Sequence, residues 1–87
     1  MASTDHTCVF YGLSTCVHCR HAREFLEEHN VQFDLHYVDL AEGDERNRLL
    51  EKVRGCNPGV SFPTIVVDNK KVIVGFQPDT LTEALEL

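Results

Sequence analysis

The sequence has no long apolar run and little positive charge. Its longest unbroken apolar stretch, Cys8-Val9-Phe10-Tyr11, is four residues long, whereas a transmembrane helix needs about 20. Eight Lys and Arg residues stand against 14 Asp and Glu residues, which gives a formal net charge of -6. Protein surfaces that bind nucleic acid are usually basic. We therefore expect neither a membrane nor a nucleic acid as a partner.

The beginning of the sequence lacks the pattern of a signal peptide. Residues 1–7 are polar, without a basic start or an apolar segment. We therefore expect a cytoplasmic protein. Because the cytoplasm is reducing, we expect its cysteine thiols to stay reduced. Phosphate-binding glycine loops, paired catalytic carboxylates, Ser-His-Asp patterns, repeats and linkers are missing as well. The 87 residues are expected to form a flexible tail over 1–6 and a single monomeric domain over 7–87.

Apolar spacing and turn residues predict the element order β-α-β-α-β-β-α. The predicted elements are strand 8–11, helix 17–30, strand 31–38, helix 43–54, strands 64–67 and 71–74, and a last helix that Pro78 opens. Ser14 or Thr15 is expected to cap the first helix, Asn30 to end it, and Gly55 to close the second. A right-handed crossover makes the first two strands parallel, and a hairpin makes the last two antiparallel. The predicted fold class is α/β, with a four-stranded mixed sheet flanked by helices on both faces.

Cysteine is abundant for so short a chain. The four cysteines are Cys8, Cys16, Cys19 and Cys56. Disulfide staples, a metal site or redox chemistry would each use them, but staples are disfavoured in a reducing compartment. Only Cys16 and Cys19 have a spacing, C-x-x-C, that is typical of redox chemistry.

The segment Cys16-Val17-His18-Cys19 lies where the first strand gives way to the first helix. Unpaired N–H groups and the positive end of the helix dipole stabilise a thiolate at this place. We expect Cys16 to be the exposed nucleophile and Cys19, one turn further on, to resolve the mixed disulfide. Two purely structural cysteines are the less favoured alternative.

The start of the first helix is basic, and its second half is acidic. Four basic side chains, His18, Arg20, His21 and Arg23, precede the first acid, Glu24. Because this order opposes the helix dipole, we hypothesise that it stabilises the Cys16 thiolate and attracts an anionic partner. Scattered surface charge is the alternative. A charged His18 between the cysteines would favour the reduced form and make the pair a stronger oxidant, whereas a neutral exposed ring would have no effect.

Three segments, in the right order and spacing, resemble the glutaredoxin family of the thioredoxin fold. They are Tyr11-Gly12-Leu13-Ser14-Thr15-Cys16-Val17-His18-Cys19, the active-site strand and turn, Phe62-Pro63-Thr64, the cis-proline segment, and Gly75-Phe76-Gln77-Pro78-Asp79, the double-glycine and acidic segment. The resemblance implies a dithiol–disulfide oxidoreductase that reduces protein or glutathione mixed disulfides. Its partners would be disulfide-containing proteins and either glutathione or a thioredoxin-type reductase.

The resemblance also implies which residues bind substrate. Pro63 would be cis and face the two active-site cysteines, leaving the Phe62 backbone free to pair with a bound thiol peptide. Asp79 would hold the amino group of glutathione. Simpler roles are a strand start for Pro63 and a favourable dipole contact for Asp79. The expected substrate-binding set is Thr15, His18, Phe62, Pro63, Thr64, Phe76 and Asp79.

Three positions depart from the pattern of the glutathione-using members. Leu13 replaces a common lysine, Phe76 replaces the second glycine, and Pro78 replaces the first of two acids. The segment around them looks closer to the glutaredoxin-like electron donors of ribonucleotide reductase, which are recycled as thioredoxins are. No bound cofactor is expected, and whether glutathione serves as reductant or ligand is left open.

The two other cysteines have simpler explanations. Cys8 is expected in the core, and Cys56 in a loop, either as a spectator or as a third redox thiol. The histidines are not spaced for a zinc site with the C-x-x-C pair. The alternative function is a [2Fe-2S] cluster carried between two chains with Cys16 as the protein ligand, since some glutaredoxins bind such a cluster with glutathione.

Overall fold

A four-stranded mixed sheet carries the helices of this chain. The computed structural model describes residues 6–87. The elements are β1 (Cys8–Gly12), α1 (Val17–Glu28), β2 (Asp34–Tyr37), a 3₁₀ turn (Val38–Leu40), α2 (Gly43–Cys56), β3 (Thr64–Val67), β4 (Lys71–Val74) and α3 (Pro78–Leu85). The strands lie in the order β2-β1-β3-β4. β1 pairs parallel to β2 and antiparallel to β3, and β3 pairs antiparallel to β4. The predicted class and element order are confirmed.

Alternating side chains of the strands supply two cores, one on each face of the sheet. Phe10 and Ile65 point to the face covered by α1 and α3, where Leu26 and Leu81 are fully buried. On the opposite face, α2 packs onto a second cluster. Its members are Tyr11, Val38, Leu49, Val53 and Val66. The two central strands, β1 and β3, are thus buried on both faces, with Val9 alone half-buried. This burial holds the C-terminal end of β1 in a fixed place.

The end of α1 shortens the second strand. Asn30 takes a left-handed conformation, with φ 57°, and Val31 donates its N–H to Leu26 O at 2.9 Å. This is the Schellman arrangement that ends a helix. The prediction that Asn30 stops the helix is confirmed, but the predicted strand 31–38 was too long. Val31 closes the helix instead of pairing, so β2 begins at Asp34.

One further boundary, the C-terminal end of α2, differs from the predictions. Gly55 does not close α2 but lies inside it, and the helix continues to Cys56, which is therefore a helix residue and not a loop residue. By contrast, the hairpin strands 64–67 and 71–74 were predicted correctly. In the three-residue turn 68–70 that joins these strands, Asp68 and Asn69 both have positive φ, 56° and 57°.

The N-terminal segment reaches the opposite end of the sheet from the C-x-x-C pair. The predicted tail over residues 1–6 lies outside the described residues except for His6. The His6 ring hydrogen-bonds Asp68 and Glu86, at 2.8 Å each, and Thr7 N donates to Asp68 Oδ1 at 3.0 Å. Among residues 6–87, no helix has the length and apolar character needed to cross a membrane.

Candidate active site

Cys16 lies at the N-terminus of α1, directly after the turn that follows β1. It is the N-cap residue of the helix, and its Sγ accepts a hydrogen bond from Cys19 N at 3.3 Å. The prediction that Ser14 or Thr15 caps the helix was wrong, because the Ser14 hydroxyl is used elsewhere and the cysteine sulfur takes the capping position. Cys16 is partly exposed, and all four cysteines are free thiols. Cys16 Sγ thus lies at the positive end of the helix dipole and meets solvent.

Cys19 lies behind Cys16 in the core and is 1% exposed. Burial raises the pKa of the Cys19 thiol to about 12, and its hydrogen bond with Cys16 acts in the same direction. The Leu13 N–H, which donates to Cys19 Sγ at 3.5 Å, opposes the shift. The two cysteines therefore differ in access to solvent, and Cys19 stays protonated at neutral pH.

Gly12 makes room for the Cys19 sulfur, a role that the sequence did not reveal. A Cβ atom placed on Gly12 would lie 2.7 Å from a ring carbon of Phe10 and 3.3 Å from Cys19 Sγ. Both neighbours are buried, so neither can move aside freely. The available signal was a glycine at the end of the first strand, just before the cysteine turn, where a glycine is typical of a close approach of backbone and side chain.

Asp39 is the second residue that sequence reasoning missed. It follows β2, whose carboxyl end lies beside that of β1 because the strands are parallel. Asp39 Oδ1 accepts from Ser14 N at 2.9 Å, and Oδ2 accepts from the Ser14 hydroxyl at 2.5 Å. These two hydrogen bonds lower the pKa of the Asp39 carboxyl. The available signal was an acid just after a strand that is predicted to run parallel to β1.

A shallow pocket opens beside Cys16. It has a volume of about 240 Å³ and is lined by Ser14, Thr15, Cys16, Val17 and Arg20. Val17 is 55% exposed, so the pocket offers both an apolar and a cationic group. Arg23, one turn beyond Arg20, instead lies 3.6 Å from Glu27. Of the predicted basic turn, Arg20 is thus the member that lies next to Cys16. His18 is exposed.

The predicted cis-proline segment packs at the boundary of the two cores. The Phe62–Pro63 peptide bond is cis, as the resemblance implies, and Phe62 is half-buried against both clusters. Pro63 and Thr64 are fully buried. The Thr64 hydroxyl donates to Ser61 O at 2.7 Å, so it is engaged within the protein. A role of these residues in substrate binding stays a prediction.

Phe76 and Asp79 lie in and after the turn that joins β4 to α3. The Phe76 ring packs edge-on against His21 and Phe25 of α1, with centroids 6.1 and 5.9 Å apart. Asp79 is exposed in the first turn of α3. Phe76 thus joins the last loop to the helix that carries Cys16. The predicted glutathione contact of Asp79 is not tested by this geometry.

The remaining cysteines lie apart from the pair. Cys8 is 4% exposed, as predicted for a core residue, and burial raises the pKa of its thiol to about 11. Cys56 is exposed and lines a groove of about 350 Å³ between α2 and the sheet, with Tyr11 and Lys52. Within residues 6–87, no group of three or more His, Cys, Asp or Glu side chains is arranged to hold a metal ion.

Comparison with known proteins agrees with this arrangement. The family model described as Glutaredoxin matches residues 8–72. The crystal structure of methanoredoxin from Methanosarcina acetivorans is 41% identical, with a TM-score of 0.90 over 93% of this chain and 85% of that one. The glutaredoxin from Methanosarcina mazei Go1 is 40% identical, with a TM-score of 0.87 over 95% of this chain and 87% of that one. The Gene 56 protein of Mycobacterium phage D29 is 31% identical over 87% of this chain and 79% of its own length. The chain therefore belongs to the glutaredoxin family and is a redox protein with the thioredoxin-like fold.

Proposed function

We propose that this chain is a dithiol–disulfide oxidoreductase in which Cys16 attacks the substrate disulfide and Cys19 resolves the mixed disulfide. The observation that carries the proposal is the asymmetry of the pair. Cys16 caps α1 and meets solvent, whereas Cys19 is buried one turn behind it, with its N–H on the Cys16 sulfur. One cysteine is accessible to an external disulfide, and the other is accessible only to its neighbour.

The chemistry proceeds in two exchanges that balance. The Cys16 thiolate attacks one sulfur of the substrate disulfide R–S–S–R′, forms Cys16–S–S–R and releases R′–S⁻, which takes up a proton. Cys19, as thiolate, then attacks Cys16 Sγ, forms the Cys16–Cys19 disulfide and releases R–S⁻. The substrate gains two electrons and two protons, and the protein dithiol loses them.

The environment of Cys19 fits its delayed role. While Cys16 carries charge, the hydrogen bond and the repulsion between the two sulfurs help burial to keep the pKa of Cys19 high, at about 12. When Cys16 is bound in a mixed disulfide, that repulsion disappears and the pKa of Cys19 falls. The Leu13 N–H remains on Cys19 Sγ and stabilises the attacking thiolate. The second exchange is thereby favoured only after the first.

We propose disulfide-containing proteins as substrates, and either glutathione or a thioredoxin-type reductase as the source of electrons. The position of the family's common lysine is taken by Leu13, which is half-buried and uncharged. This position therefore offers no cation to a glutathione carboxylate. Arg20, in the pocket beside Cys16, is the cation available there. Measuring turnover with glutathione and its reductase, and in parallel with a thioredoxin-type reductase, separates the two sources.

The test follows reduction of a protein disulfide by a stoichiometric amount of pre-reduced protein, with no other thiol present. Cys16→Ser should abolish release of the reduced substrate, and Cys19→Ser should lose most of it because the mixed disulfide accumulates. Cys56→Ser is the matched control: it removes an exposed thiol outside the site and should keep the wild-type release. Full dithiol activity in Cys16→Ser would overturn the proposed function.

A further inference from the structure

The turn that presents Cys16 is held from outside by one carboxylate. Both carboxylate oxygens of Asp39 accept hydrogen bonds from Ser14, one from the backbone N–H at 2.9 Å and one from the hydroxyl at 2.5 Å. The same turn supplies the Leu13 N–H to Cys19 Sγ and is closed by a Cys16 N to Leu13 O bond of 3.2 Å. Displacement of Ser14 would therefore move groups that contact both sulfurs.

Asp39 is itself well fixed. Its neighbour Val38 is 4% exposed and belongs to the core under α2. From α2, the Arg46 guanidinium donates to the Asp39 carbonyl oxygen at 3.2 Å. The carboxylate thus reaches the active-site turn from the 3₁₀ turn that follows β2, and an anchored acceptor limits the positions that the active-site turn can adopt.

We propose that Asp39 is a positioning residue that fixes the Leu13–Cys16 turn, and that its negative charge makes the Cys16–Cys19 dithiol a stronger reductant. The inference rests on the dithiol function proposed above. A nearby anion disfavours thiolates, which exist only in the reduced protein, and leaves the neutral disulfide unaffected. The carboxylate therefore shifts the redox equilibrium toward the disulfide, and the protein gives up its electrons more readily.

The charges around the pair support this direction. Burial is the main cause of the raised pKa of Cys19, and the charge of Asp39 adds to it. Arg20 beside Cys16 and Arg46 beside Asp39 are cations that partly offset the carboxylate. Removal of the Asp39 charge should then leave these cations unopposed, which stabilises the reduced form further.

The experiment measures the equilibrium of the wild-type chain and its variants with reduced and oxidised glutathione at pH 7. In that buffer one oxidised glutathione accepts two electrons and two protons from the dithiol, giving two reduced glutathiones and the Cys16–Cys19 disulfide. Asp39→Asn keeps an oxygen acceptor for Ser14 N and removes the charge. We expect its equilibrium to shift toward the dithiol by about twofold to fivefold, as for one partly screened charge.

Two further variants separate charge from placement. Asp39→Glu keeps the charge but displaces the oxygens, so we expect a near-wild-type equilibrium and faster hydrogen exchange at Ser14 N–H. An unchanged rate of hydrogen exchange at Ser14 N–H in Asp39→Glu would overturn the positioning role of Asp39. This readout stays valid even if Asp39→Asn fails to fold. Glu42→Gln removes an exposed charge three residues away whose side chain makes no capping hydrogen bond, and it should leave the equilibrium unchanged.

The outcomes distinguish this inference from the function on which it rests. If the wild type forms the Cys16–Cys19 disulfide but Asp39→Asn has the wild-type equilibrium, or shifts no more than Glu42→Gln, the role of the Asp39 charge is wrong and the dithiol function stands. If the wild type forms no such disulfide in any glutathione ratio, the proposed function fails, and this inference fails with it.

Discussion

Replacement of Gly12 by alanine tests whether the space around the Cys19 sulfur matters. The new Cβ would lie 2.7 Å from the Phe10 ring and 3.3 Å from Cys19 Sγ, and Phe10 is fully buried. The backbone of Gly12 lies outside the left-handed region, so the effect is steric. Overpacking of this kind costs about 1–3 kcal/mol of unfolding free energy. For a domain of this size, we expect the Tm to fall by about 5–20 °C.

The same substitution should also slow the second exchange. Relief of the contact requires the Cys19 sulfur or the Phe10 ring to shift, which displaces the resolving thiol from its position behind Cys16. Misplacement of a reacting group by a fraction of an ångström to an ångström costs about tenfold to a hundredfold in rate. We expect a mixed disulfide on Cys16 to be resolved about tenfold more slowly, as measured by quenched-flow alkylation and mass spectrometry.

Gly55 is the matched control for this experiment. It also lacks a positive φ, and a Cβ atom there would meet nothing within 4 Å. Because it lies inside α2, Gly55→Ala should raise the unfolding free energy by about 0.5–1 kcal/mol and leave resolution unchanged. A Gly12→Ala protein that is as stable as the wild type and resolves at its rate would refute the steric reasoning.

The structure makes two further predictions. In the folded dithiol protein at pH 8, iodoacetamide should label Cys16 and Cys56 first, because Cys8 and Cys19 are buried and burial raises the pKa of their thiols to about 11 and about 12; equal labelling of all four would contradict the burial. Hydrogen bonds with Asp68 and then Glu86 raise the pKa of His6 above 6.5, and the His6 bond lowers the pKa of Asp68 below 3.8. The His6–Asp68 pair therefore stabilises the fold most between pH 3.8 and 6.5. Its contribution to stability is lost as the pH rises through the raised pKa of His6. In urea unfolding, the stability difference between wild type and His6→Gln should shrink from pH 6 to pH 9, and a constant difference would contradict the assignment.

The parts of the fold that the sequence predicted best are those with strong local signals. The hairpin strands 64–67 and 71–74 have β-branched residues on both sides of Asp68-Asn69, a dipeptide that tolerates positive φ. Pro78 begins α3, and the helix buries Leu81, Ala84 and Leu85 as its spacing predicts. Local propensity and tertiary packing agree at these positions, so the boundaries could be read without the structure.

The errors arise where a residue serves a more distant partner. Ser14 is a good N-cap residue by type, but its hydroxyl bonds Asp39, 25 positions further on, and Cys16 becomes the cap. Val31 fits a strand by type, but its N–H closes α1. The C-x-x-C pair could be found from spacing alone, whereas Gly12 and Asp39 could not be assigned roles, since both depend on which elements meet at the carboxyl end of β1.

The most direct test of the account is where a trapped substrate sulfur resides. The Cys19→Ser, Cys56→Ser double variant is mixed with an oxidised disulfide substrate, digested without reductant and analysed by mass spectrometry. We predict one stable adduct in this double variant, on Cys16. In the Cys56→Ser single variant, which retains Cys19, we predict that the adduct is displaced and that a Cys16–Cys19 disulfide forms instead. An adduct absent from Cys16, or one that Cys19 fails to displace, would contradict the division of roles between the two cysteines.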